Sequence, residues 1–152
     1  MSQSALTASS SSPFSPQLSE RDRAFLDAAA HFIQTEVEPH SLAWDQASDF
    51  PAEIWGKLGE AGLLGMTVPE EYGGTEVSVS AYCEACRLLS AADAALGMNV
   101  AAINALAQGH IVTYGTQEQK EKYLRATTKG DIRLAWALTE PEAGSDARRV
   151  KT

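Results

Sequence analysis

The sequence predicts a mainly α-helical fold: a five-helix, up-and-down, bundle-like domain over residues 19–131, followed by one strand. Three observations predict it. Apolar residues recur at helical spacing through most of residues 19–126. Capping and stop residues punctuate that pattern at regular intervals. At residues 133–140 (Arg-Leu-Ala-Trp-Ala-Leu-Thr-Glu) the pattern changes to an apolar run leading into a turn rich in proline and glycine.

The first helix starts at Ser19, whose hydroxyl can cap it. Glu20 and Asp22 suit the positive end of its dipole. Phe25, Ala28, Ala29, Phe32 and Glu36 form its stripe, with Leu26, Ile33 and Val37 beside it, and Pro39 ends it. Pro51 opens the second helix, which buries Ile54, Trp55, Leu58 and Ala61 and stops at Gly62. Leu63 to Pro69 is expected to be extended, and Glu70 to Gly74 a turn. The third helix, 77–91, is built around Val79, Tyr82, Cys83, Cys86 and Leu89. Asp93 caps a fourth, Ala94–Tyr114, which is apolar almost all round and therefore expected at the centre of the bundle. Gly115 stops it. Thr116 and Gln119 have capping-box spacing for a fifth helix over 117–126, and Lys129-Gly130-Asp131 closes the helical region.

A strand at 133–140 needs neighbours, because its backbone groups must be paired and its apolar face covered. The sequence holds no other strand, so residues 132–152 are expected to open a second domain that is incomplete here. Residues 1–18, rich in serine and proline and without a basic or long apolar run, are expected to be a disordered tail.

Composition excludes several function classes. A net charge of −8 leaves no basic patch for nucleic acid or an anionic membrane, and no run approaches a membrane span. Two cysteines do not make a secreted disulfide scaffold, so the compartment is expected to be cytoplasmic. Cys83 and Cys86 form a C-x-x-C pair with no second pair for zinc, and are expected in the core. His31 and His40 are expected in solvent, and His110 to be a satisfied structural histidine. No metal motif, nucleotide loop or Ser–His–acid set is present.

Chemistry is left to Trp136–Asp146. Pro141 holds Glu140 extended, and Ala143-Gly144-Ser145 offers small side chains and free amides. Such a turn can press N–H groups against an anionic or carbonyl-rich ligand, with Trp136 as a flat apolar wall. The same residues also fit an ordinary surface turn.

The string Ala137-Leu138-Thr139-Glu140-Pro141-Glu142-Ala143-Gly144-Ser145-Asp146 resembles the flavin-contacting motif of acyl-CoA dehydrogenases. Three further segments resemble that family in the same order: Glu53–Leu63, Val68–Gly74 and Gly115–Leu124. The resemblance implies an N-terminal helical domain followed by the first strand of a β-barrel domain that is truncated here. It implies FAD as cofactor, lined by Trp136, Ala137, Leu138, Thr139, Glu140, Pro141, Gly144 and Ser145. Thr139 is implied at the ring edge, and Gly144 and Ser145 near the phosphate-bearing tail. Ser145 also matches a position that touches the acyl-CoA substrate. The implied reaction is α,β-dehydrogenation of an acyl-CoA thioester, with electron-transfer flavoprotein accepting the electrons and the full-length enzyme a homo-oligomer. The family's base is a carboxylate of a C-terminal domain and matches nothing here, so no catalytic residue is assigned and the chain alone is expected to be inactive. Arg149, preceded by Arg148, stands where the family usually has a small residue, and Glu76 where a further glycine is usual. Met98, Ala101, Ala102 and Ala105 border the acyl chain in the resembled fold but are expected to serve helix packing. A stand-alone helical interaction module docking through Leu134–Leu138 is an alternative, as is a related acyl-CoA oxidase or flavin monooxygenase.

Overall fold

A computed structural model describes residues 18–152; the tail expected over residues 1–18 lies outside them except for Leu18. The described chain is helical almost throughout. Helix α1 (Glu20–Phe32) runs on into a π-helical turn, Ile33–Val37. Next come α2 (Ser41–Ala47), α3 (Glu53–Glu60) and α4 (Val79–Ala92). Helix α5 (Ala94–Ala102) continues through a π-helical stretch, Ile103–Gln108, into α6 (Gly109–Tyr114). Helix α7 (Gln117–Gln119) continues likewise through Lys120–Leu124 into α8 (Arg125–Thr128). No helix among the described residues is long and apolar enough to cross a membrane.

The capping signals are realised. Ser19 and Asp22 form a reciprocal capping box, as do Thr116 and Gln119, and Asp93 accepts the Leu96 N–H. Asp22 also ties two helices together: its Oδ1 accepts the N–H of Ser78, the residue that caps α4 (3.1 Å). That bond, followed by its contacts with Ser19, holds the Asp22 carboxyl below its ordinary pKa.

Helix α2 was not expected. None of its residues is buried, so it leaves no apolar stripe in the sequence. Its Trp44 instead joins an aromatic chain running His40–Trp44–Phe50–Trp55. The buried line of α1 passes through Leu26, Ala29, Ile33 and Val37, one position round from the expected stripe. On α4 it passes through Ala81, Ala85 and Leu89, leaving Val79 77% exposed and Cys83 at the surface. Helix α4 is crossed closely. Gly97 of α5 lies against the backbone of Ser90, and two of the three buried residues of α4 are alanines, so small residues as well as large ones mark its buried face.

Residues 63–68 are buried but not extended. They form a series of turns, with Leu63, Leu64, Met66 and Val68 packed inside. Two fully buried amides hold them: Asn104 Nδ2 donates to the Leu63 carbonyl (2.9 Å) and Gln108 Nε2 to that of Leu64 (2.7 Å). Both side chains lie in the π-helical stretch, four residues apart and so on one side of the helix, facing the same buried segment. Met98, Ala105, Leu106 and Tyr114 are exposed, so the fourth predicted helix has an exposed apolar face and does not sit at the centre of the bundle. Glu76 has φ 47°, a left-handed conformation suited to the glycine that the resemblance expects there.

The strand expected at 133–140 is absent. The β-bridge found among the described residues is the single Glu140–Ala143 pair. Residues 133–139 make no backbone–backbone hydrogen bond to any described residue, as the lack of a sheet partner dictates.

Candidate functional site

Residues 134–137 lie against the outer side of the long helix and enclose an open cleft of about 380 Å³. It is lined by Leu106, Ala107, His110 and Ile111 on one side and by Leu134, Ala135, Trp136 and Ala137 on the other. Ile111 also packs, with Val112, on the buried group Val68, Tyr72 and Leu124, so the helical wall of the cleft is fixed to the core.

Side chains, not backbone, hold the segment in place. The Arg133 guanidinium sits 5.2 Å from the centre of the Trp55 ring, within cation–π range. The Trp136 ring meets His110 edge-on, with centroids 4.0 Å apart. His110 is itself exposed and contacts the Leu106 carbonyl through Nδ1. Its ring therefore forms part of the cleft.

Beyond the cleft the chain turns sharply. The Glu140 N–H donates to the Ala143 carbonyl (2.9 Å) and the Ala143 N–H to that of Glu140 (3.1 Å). Ala143 is buried, while Pro141, Gly144 and Ser145 are exposed, and space is open where a Gly144 side chain would project. The Glu140 carboxylate accepts the Thr152 hydroxyl and the N–H groups of Lys151 (2.9 Å) and Thr152 (3.2 Å). The Thr152 hydroxyl and then the Lys151 amide hold its carboxyl below the usual glutamate value. A depressed carboxyl pKa stabilises the folded arrangement above the ordinary value and loses that contribution as pH falls through the lowered one. Acidification through that range is expected to release residues 151–152 from Glu140. The Lys151 and Thr152 amide resonances should move together, and Glu140→Gln should abolish the transition.

Trp136, Ala137, Leu138 and Thr139 are thus all exposed, the first two lining the cleft, with Gly144 and Ser145 exposed beyond the turn. Trp136 and Leu138 are 39% and 41% exposed, large values for apolar side chains of their size. The amides of 136–139, 144 and 145 have no backbone partner among the described residues. Such a surface can accept a flat apolar ring, donate to acceptors at its edge, and offer N–H groups to an anionic tail. The helical half of the cleft was not anticipated from sequence. Its one legible trace is the spacing of Leu106, Ala107, His110 and Ile111 along one helix face. Among the described residues no group of three or more His, Cys, Asp and Glu could hold a metal ion.

Comparison with known proteins agrees with this architecture. Residues 19–131 match the family model described as "Acyl-CoA dehydrogenase, N-terminal domain". The chain is 40% identical over 124 residues to 3-(aryl)acrylate reductase of Clostridium sporogenes, covering 82% of this chain and 33% of that one. It is 36% identical over 134 residues to mitochondrial isovaleryl-CoA dehydrogenase of Solanum tuberosum, covering 87% and 32%. A glutaryl-CoA dehydrogenase of Mycobacterium smegmatis, solved in complex with FADH2, superposes with a TM-score of 0.80 at 29% identity, covering 89% of this chain and 35% of that one. The chain therefore spans about a third of the length of the curated relatives it matches. With the family model matched over 19–131 and the same helical fold in a solved dehydrogenase, the chain belongs to the acyl-CoA dehydrogenase family.

Proposed function

We propose that this chain is the N-terminal portion of an FAD-dependent acyl-CoA dehydrogenase, and that residues 132–152 open its second domain as one wall of the flavin site. The observation that carries this is the exposed segment Trp136–Thr139, whose amides have no backbone partner among the described residues, in a chain of this family. Trp136, Ala137 and Leu138 would cover the ring and exclude water. Thr139 would donate to the ring edge. Glu140 and Pro141 would hold the turn, and Gly144 and Ser145 would meet the phosphate-bearing tail, with Ser145 also touching the acyl-CoA thioester. When bound, FAD supplies the acceptor for the hydride that leaves the β-carbon. The residues of this chain supply position and a dry surface. Electron-transfer flavoprotein would take the electrons from the full-length enzyme, which would be a homo-oligomer.

The test is a chimera in which residues 19–152 replace the matching third of Mycobacterium smegmatis glutaryl-CoA dehydrogenase. It is expected to take up FAD and to lose flavin absorbance when acyl-CoA is added. The isolated chain is expected to bind FAD weakly and to catalyse nothing. A folded chimera without flavin, or tight stoichiometric FAD binding by the isolated chain, would contradict the proposal.

The 40% identity to an arylacrylate reductase supports a second reading, in which the parent works on the same α,β bond in the reducing direction. On the full-length parent, comparing steady-state oxidation of an acyl-CoA with an electron acceptor against reduction of an enoyl-CoA with an electron donor separates the two directions.

A further inference from the structure

The pair Cys83 and Cys86 plays no part in the proposed flavin wall, and the structure places it differently from the sequence expectation. Cys83 is exposed on α4, Cys86 is partly buried against the main core, and neither is in a disulfide. Three residues apart on a helix, they lie on neighbouring positions of one face, with Cβ atoms roughly 5–6 Å apart. Each thiol affects its surroundings in a way that reports closeness. Burial, and then the adjacent Cys86 sulfur, pushes the Tyr82 hydroxyl up to about 12. Burial pushes the Cys86 thiol up; the Tyr82 hydroxyl partly offsets this, and the neighbouring Cys83 adds to it. The Tyr82 hydroxyl itself donates to the Ala101 carbonyl of α5 (3.1 Å), which fixes the ring beside the pair.

We propose that Cys83 and Cys86 form a redox-active dithiol, in which Cys83 takes a thiol group from a low-molecular-weight disulfide and Cys86 resolves the adduct. In the first step the Cys83 thiolate attacks one sulfur of the disulfide. Its proton goes to solvent, a Cys83 mixed disulfide forms, and one small thiolate leaves. In the second, Cys86 loses its proton and attacks Cys83 Sγ. The mixed disulfide breaks, a Cys83–Cys86 disulfide forms, and the second small thiolate leaves. The external disulfide is reduced by two electrons and the pair is oxidised by two.

The order follows from access. An exposed thiol meets the reagent, while the half-buried one is shielded from it and stands one turn away from the adduct. Helical Cβ separation exceeds the ~3.5–4.5 Å of a relaxed disulfide, so closure strains the turn and leaves the bond easy to reduce. Closure links two positions of α4 only. It leaves the packing of α4 on α5 uncrosslinked and takes the Cys86 sulfur away from Tyr82.

The test treats the 152-residue chain with glutathione disulfide and follows intact mass, with circular dichroism confirming the fold of each variant. Wild type is expected to pass through a single glutathionyl adduct and end having lost two hydrogens. Cys86→Ser is expected to stop at the single adduct, and Cys83→Ser to be modified more slowly than Cys86→Ser. Dithiothreitol should restore the starting mass. An unmodified wild-type chain, a stable double adduct, or equal rates in the two variants would overturn the proposal.

Discussion

Asn104→Asp is expected to cost the domain about 3–5 kcal/mol at neutral pH, from a change of one atom and one charge. Asn104 is fully buried, and its Nδ2 donates to the carbonyls of Leu63 and Val100, both at 2.9 Å. A carboxylate there cannot donate, and it aims negative charge at two carbonyl oxygens inside the core. Burial should raise the pKa of the introduced carboxyl above its unfolded value. The protonated form keeps one donor, so the deficit should shrink as pH falls and grow as pH rises from the ordinary aspartate value through the raised one. Urea unfolding at pH 7 and pH 5 measures both. A loss below about 1 kcal/mol at pH 7 would mean that the amide does not hold the 63–64 turn.

Gly130→Ala is expected to cost about 2–5 kcal/mol and to loosen the candidate site as well. Gly130 has φ 80°, where an alanine costs about 1–2 kcal/mol. An added Cβ would lie 2.3 Å from the Trp55 carbonyl oxygen and 2.5 Å from its carbon, so overpacking adds about 1–3 kcal/mol. The close approach seats the end of α8 on α3, three residues before Arg133 lies over the Trp55 ring. The same variant should therefore alter tryptophan emission under native conditions. Gly56→Ala is the control: nothing lies within 4 Å of its added Cβ, and the change should stabilise by about 0.5–1 kcal/mol.

What was legible in the sequence was local. Ser19, Asp93 and Thr116 announce their helices because a cap needs only the next three residues. The Pro141–Ser145 turn, the long fourth helix and its end at Gly115 were legible for the same reason. What was not legible depends on partners distant in sequence. Ala81 and Ala85 are buried although small, and Gly97 lies against the Ser90 backbone, so no periodicity of large residues shows the buried face of α4. Asn104 and Gln108 appear as unremarkable polar residues in an apolar helix until the 63–64 carbonyls are brought to them. The helical half of the cleft escaped because it becomes a cleft only where residues 134–137 lie against it, which no pattern within the helix announces. The missing strand is the converse case. Residues 133–139 carry a strand's composition, but strand geometry belongs to a sheet, and no described residue pairs with them.

Hydrogen–deuterium exchange on the glutaryl-CoA dehydrogenase chimera, with and without FAD, puts the flavin wall itself to the test. The backbone amides of residues 136–139, 144 and 145 have no backbone partner among the described residues, so they should exchange rapidly in the flavin-free protein. Loading FAD should slow exchange at those positions. Equally fast exchange there in the flavin-bound chimera, with protection confined to other segments, would contradict the account.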